Sequence, residues 1–161
     1  MLGDSIDELQ GKEKLNKFDI KIETDLSAYL SKDYIPSMNS RMAVYRQISN
    51  ITDKDSYDKF VRQTIDIYGD LPEELINLAK ISLIKNSYSQ FGISKIILKS
   101  VCKIVFLGKE HLSEQWVREV EKNDIMSLNF SNEPTIEIKN ISKTEILDYF
   151  INFIQLFGKN C

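Results

Sequence analysis

The chain holds one histidine, two cysteines, three prolines and one tryptophan in 161 residues. Two cysteines, Cys102 and Cys161, make neither a disulfide framework nor a metal site, so both are expected to be reduced and incidental. His111 has no carboxylate or thiol partner in its own segment, which argues for a loop residue and against a general base. A GxSxG nucleophile elbow is missing; Gly92-Ile93-Ser94 joins a helix to a strand. Gly11-Lys12, Gly108-Lys109 and Gly158-Lys159 each lack the upstream glycine and the following Ser or Thr of a phosphate loop. Asp53, Asp55 and Asp58 lack the central Gly and distal Glu of a calcium loop and read as acids complementing a helix dipole. These absences predict a non-enzymatic chain with no cofactor or metal of its own and no small-molecule substrate. There is no signal peptide and no apolar run long enough to cross a bilayer, so a cytoplasmic location without a membrane partner is expected. The sequons Asn50-Ile51-Thr52 and Asn140-Ile141-Ser142 are silent there.

What is present is the composition of an ordinary globular domain: 42% hydrophobic, 28% charged, net charge −3. A chain of this length buries about 70% of its unfolded surface and needs no staple. The acidic balance disfavours a non-specific nucleic-acid binder. Neither an internal repeat nor a low-complexity tract is visible.

Leu2, Ile6 and Leu9 repeat at helical spacing with no capping residue before them. This fits either a segment cut from a longer protein or a frayed terminal helix. Residues 11–17 are polar and linker-like. Phe18, Ile20 and Ile22 alternate in a half-buried strand over Phe18 to Glu23, and an irregular crossing runs to Pro36. A first helix is predicted at about Asn39–Ile51, on a Val44, Ile48, Ile51 stripe. A second spans about Asp53–Tyr68, with Tyr57, Phe60, Val61, Thr64, Ile65 and Tyr68 as its stripe. Thr52 with Asp55 gives a weak capping box, and Gly69 a left-handed stop. Pro72 opens a third helix that runs to about Phe91 and is apolar nearly all round, hence central.

Ile93–Lys99 and Lys103–Leu107 read as a hairpin. A fourth helix starts at Ser113 and turns Trp116, Val117 and Val120 to the core. Alternation at Met126, Leu128 and Phe130, and again at Ile136 and Ile138, predicts two more strands around Pro134. Ser142 with Glu145 forms a capping box before a last helix carrying Ile146, Phe150, Phe153, Ile154 and Phe157. Those spacings predict an α+β fold: one strand, a three-helix run, strand pairs separated by a helix, and a C-terminal helix packed on a small sheet. Tyr45, Tyr57, Phe60, Tyr68 and Trp116 sit at core spacing, which favours packing over base stacking.

One combination of motifs is specific. Tyr34-Ile35-Pro36, then Arg41, then Tyr45-Arg46-Gln47-Ile48, then Ile65-Asp66-Ile67-Tyr68-Gly69-Asp70-Leu71-Pro72 occur in order. Together they resemble the C-terminal domain of bacterial transcription-repair coupling factors. There the segments read roughly YIP, an Arg, YKRI, and a helix ending in IDRFG-x-LP. The resemblance covers residues 18–92 closely and the rest only in architecture. It implies that residues 1–17 end a helix and linker leading from a DNA-translocating motor, and that 18–161 form a regulatory domain. It further implies docking onto an N-terminal module resembling the excinuclease B subunit. Docked, the domain would mask the excinuclease A binding surface and restrain a motor that displaces RNA polymerase stalled at damaged DNA. ATP and magnesium would belong to the motor domains elsewhere.

The resemblance assigns docking to the second helix. Its Asp, matched by Asp66, and a Glu one turn earlier lie on the docking surface. Here Gln63 replaces that Glu, and Ile67 replaces the usual Arg. Lys59, Arg62, Gln63 and Asp66 are therefore the candidate interdomain contacts, with Phe60, Ile65 and Tyr68 expected to hold the helix to the core. The structural alternative for Asp66 is an i,i+4 pair with Arg62. The alternative function is a free-standing nucleic-acid-binding domain using the basic hairpin face of Lys95, Lys99 and Lys103.

Overall fold

A computed structural model describes residues 18–158. The readings made for residues 1–17 and for Cys161 lie outside the described residues. The element order is the one expected: β1 (Lys21–Thr24), α1 (Met38–Ser49), α2 (Lys54–Tyr68), α3 (Glu73–Tyr88), β2 (Ile93–Leu98), β3 (Cys102–Phe106), a 3-10 turn (Lys109–His111), α4 (Glu114–Lys122), β4 (Met126–Asn129), β5 (Thr135–Ile138) and α5 (Ile146–Gly158). The chain divides into two compact units. One holds the sheet and α4, from residues 18–24 and 88–142; the other is helical, from 25–87 and 143–158. The last helix thus groups with the three-helix run.

In the sheet unit the strand order is β1-β2-β3-β5-β4. β1 pairs parallel to β2, and the other neighbours are antiparallel. Parallel neighbours need a crossover, and the whole helical run fills it. The register aligns Ile22, Ile96, Ile104, Ile136 and Leu128 across the five strands. On this face Ile96, Ile104 and Ile136 are completely buried. The opposite face carries Glu23, Ile97, Lys103, Glu137 and Ser127 in register, all at least partly exposed. A one-residue slip would exchange the two sets, so burial fixes the register.

α4 docks through Trp116 and Val120. Trp116 is 1% exposed and lies edge-on to Phe106 and Phe91, with ring centroids 5.2 and 5.5 Å away. Cys102 is a free buried thiol that donates to the Lys99 carbonyl, and burial pushes its pKa up. It is a poor nucleophile. Phe130, expected to extend the β4 alternation, lies past the strand end and is exposed. β1 also begins later than expected, at Lys21.

In the helical unit, Val44 and Ile48 of α1 are buried as expected, but Tyr45 is 44% exposed and is not a core residue. Side chains of α3 satisfy the carbonyls at the end of α1. Ser82 Oγ donates to the Ile48 carbonyl at 2.7 Å, and Asn86 Nδ2 to that of Ile51 at 2.7 Å. Helix ends leave such acceptors unsatisfied, so α3 closes α1. α3 buries Leu75, Ala79, Leu83, Ile84 and Tyr88, with Ile76, Leu78 and Ile81 half-buried, as its all-round apolar sequence requires. In α5, Ile146, Phe150, Phe153, Ile154 and Phe157 are buried. Its regular turns begin at Ile146, after a turn over residues 143–145.

The cap of α2 differs by one residue from the sequence reading. Asp53, not Thr52, is the N-cap: its Oδ1 accepts from the Ser56 N–H at 2.8 Å, and Ser56 Oγ accepts from the Asp53 N–H at 3.1 Å. A carboxylate accepts an orphan amide more strongly than a hydroxyl does. These bonds, the backbone one first, hold the Asp53 carboxyl below its ordinary value of 3.8. Asp53→Ala is expected to cost about 1 kcal/mol at neutral pH by chemical denaturation. A lowered folded-state pKa means the fold favours the carboxylate. The contribution is therefore complete above 3.8 and is lost as pH falls through the lower folded value. The wild-type advantage should shrink in that acid range; a gap unchanged at pH 2 would mean the carboxylate is not its source.

Candidate functional site

The motifs that made the sequence specific meet one another in the helical unit. Arg41 Nη1 donates to the carbonyls of Ile35 and Pro36, at 2.8 and 2.7 Å. The Tyr34 hydroxyl donates to the Gly69 carbonyl at 2.7 Å, and its ring lies 6.0 Å from that of Tyr68. Burial, with Asp70 and Tyr68 nearby, raises the Tyr34 pKa and keeps that hydroxyl a donor. Arg41 thus fixes the loop, and the loop fixes the C-terminal end of α2.

α2 is anchored by Tyr57, Phe60 and Thr64, which are at most 8% exposed. Thr64 Oγ1 hides its donor by bonding back to the Phe60 carbonyl at 2.7 Å. Val61 and Tyr68 are half-buried. Ile65, expected to face the core, is 40% exposed: it falls on the flank of the helix, away from the Phe60–Thr64 line. Lys59, Arg62, Gln63 and Asp66 are all exposed.

Among the described residues, none of those four side chains has a hydrogen bond or ion pair. The i,i+4 pair of Arg62 with Asp66 is not formed, whereas Lys54 does approach Asp58, at 3.9 Å. Asp66 sits in the last turn of α2, which has no basic residue. A carboxylate there opposes the helix dipole at a cost of about 0.3–1 kcal/mol. Nothing within the described fold offsets that cost.

The same face borders two depressions between α1 and α2. One, of about 340 Å³, lies between Ala43, Val44 and Gln47 of α1 and Gln63, Asp66 and Ile67 of α2. The other, of about 180 Å³, lies between Gln47, Asn50 and Ile51 on one side and Lys59, Phe60 and Gln63 on the other. Three of the four sequence-predicted residues therefore line these hollows, and Arg62 does not. Ala43 and Gln47 line them too, and neither stands out in the sequence. The only available signal was that they fall off the Val44–Ile48 stripe of α1. A larger cleft, about 500 Å³, runs beside Tyr29, Glu74, Asn77 and Lys80. Its polar groups are largely engaged: Tyr29 bonds Glu74, Asn77 bonds the Ser27 carbonyl, and Lys80 pairs with Asp148 at 2.8 Å.

The remaining candidates separate in space. His111 closes the 3-10 turn, its ring edge-on to Phe18 at 5.3 Å. Lys95 lies 3.5 Å from Glu23, and Lys103 4.0 Å from Glu137, so cross-strand carboxylates are interleaved with the basic face. Its central described residues, Ile97 and Val105, offer no ring for a base to stack on. Among the described residues, no group of three His, Cys, Asp or Glu could hold a metal ion, and no helix is long and apolar enough to cross a membrane.

Comparison with known proteins places this geometry in a family. The transcription-repair-coupling factor of Borreliella burgdorferi is 22% identical over 161 residues, spanning 97% of this chain and 14% of that protein. That of Escherichia coli K12 is 24% identical over 106 residues, 65% of this chain and 9% of that one. The chain therefore spans only a small part of the length of these relatives. A solved structure described as the C-terminal domain of transcription-repair coupling factor superposes with a TM-score of 0.76 at 18% identity, covering 87% of this chain and 92% of that one. That likeness speaks for the fold. The family model of the TRCF domain matches residues 24–117, which include α1, α2 and every motif above. Over more than half its length the sequence fits that model, and the chain belongs to the TRCF domain family.

Proposed function

We propose that this chain is the regulatory docking domain of a transcription-repair coupling factor. It acts without catalysis of its own. The exposed face of α2 docks onto the N-terminal excinuclease-B-like module of the same protein. Docked, it covers the surface that binds the excinuclease A subunit and restrains the ATP-driven translocase acting on stalled RNA polymerase. Release is a population shift between two domain arrangements. ATP and magnesium serve the motor, and the setting is the cytoplasm.

The observation that carries the reading is Asp66. It is exposed, opposes its own helix dipole, and has no partner among the described residues. A basic side chain on a docked module would supply the missing partner. Such a rim pair sets orientation and specificity more than affinity. The nucleic-acid alternative has less support, because Lys95 and Lys103 are already flanked by Glu23 and Glu137.

The test compares three full-length proteins: wild type, Asp66→Arg, and a truncation lacking this domain. Asp66→Arg and the truncation should both raise ATP turnover and excinuclease A subunit binding several-fold. The substitution should leave the domain folded and its unfolding midpoint equal or slightly higher, since an arginine suits the C-terminal end of a helix. A truncation that behaves as wild type in both assays would sink the regulatory reading. An activated truncation beside an unchanged Asp66→Arg would leave the domain as the clamp and remove Asp66 from its contact.

A further inference from the structure

We propose that the α1–α2 groove is a socket for an apolar side chain of the docking partner, one flanked by an arginine or lysine. This deepens the docking reading and rests on it. The 340 Å³ depression has room for a whole aliphatic side chain. Its α1 wall is Ala43 and the buried Val44; its α2 rim is Ile67, an isoleucine 69% exposed. Ala43, Val44 and Ile67 line the one depression together and give it an apolar side open to water.

The charge at the rim selects the rest of the ligand. Asp66 lines the same depression and has no partner among the described residues, so the complement is a cation next to the apolar anchor. Gln47 from α1 and Gln63 from α2 border both depressions. Neither amide is engaged among the described residues, so both are free to bond the ligand's backbone. An apolar anchor in a pocket, ringed by polar contacts, is the arrangement in which a few residues carry most of the binding energy. Asp66 then sets orientation, and the groove supplies affinity.

The experiment titrates the fluorescently labelled 161-residue chain with the coupling factor lacking this domain and reads anisotropy. Ala43→Trp fills the hollow from its α1 side and should weaken binding tenfold or more. Ile67→Ala removes the rim and should weaken it several-fold, with the midpoint of unfolding unchanged because the side chain is exposed. Asp66→Asn should weaken binding and reduce its dependence on salt. Circular dichroism checks that Ala43→Trp is folded; Ile67→Ala carries the test if it is not. If Ile67→Ala, with or without a folded Ala43→Trp, binds like wild type while Asp66→Arg is weakened, the socket is wrong and docking through α2 stands. If the wild-type chain does not bind the truncated factor at all, the docking reading fails and the socket with it.

Discussion

Trp116→Ala should destabilise the sheet unit by about 3–5 kcal/mol, the range for removing a buried large aromatic. Trp116 is 1% exposed and is ringed by Phe106, Phe91 and Tyr88 at 5.2, 5.5 and 6.3 Å. Each aromatic pair adds about 0.5–1.5 kcal/mol beyond burial. Its helix makes the loss worse. α4 has nine residues, too few to be stable alone, and its buried residues are Trp116 and Val120. Without the indole, α4 has little to hold it on the sheet. Urea denaturation followed by circular dichroism is the measurement, since the chain has no other tryptophan to report by fluorescence. Amide exchange in α4 should speed up more than in β2. Trp116→Phe should recover over half the loss. A cost below about 1 kcal/mol for the alanine variant would mean that other contacts seat α4.

Gly92→Ala should cost about 2–4 kcal/mol, from two separable causes. Gly92 has φ +70, a conformation that costs an L-residue about 1–2 kcal/mol. A Cβ there would also lie 2.7 Å from the His111 Cβ and still closer to the imidazole. His111→Ala alone loses the edge-on contact with Phe18 and should cost about 1 kcal/mol. In the double variant the imidazole is gone, while the positive φ and the 2.7 Å approach to the Cβ of residue 111 remain. The double variant should therefore lose less than the sum of the singles, by about 1 kcal/mol. Strict additivity would show that the ring is not the obstacle and that backbone strain and the approach of the two Cβ atoms are the source.

Those two sites mark where a sequence reading stops. His111 read as a loop residue, and so it is, but nothing in its segment points to Gly92, 19 positions away. The Asp66 face was legible because helical spacing alone separates Lys59, Arg62, Gln63 and Asp66 from Tyr57, Phe60 and Thr64. The groove was not, because half of it belongs to α1. Periodicity describes one helix at a time and cannot say which of its flanks meets a neighbour. The same holds for Ile65 and Tyr45: both border a core stripe, and the packing leaves them outside.

Local physics settled the rest of what the sequence determined: the number, order and type of the α-helices and strands, and the cap of α2 to within a residue. Those follow from the 3.6 and 2.0 periods, from capping oxygens, and from Gly and Pro at their ends. The tertiary structure alone decided the parallel pairing of β1 with β2, the insertion of β5 between β3 and β4, and the grouping of α5 with the helical run. Each of these joins segments far apart in the chain. Their apolar faces are interchangeable by pattern, and only the shape and register of the buried surfaces choose among the pairings.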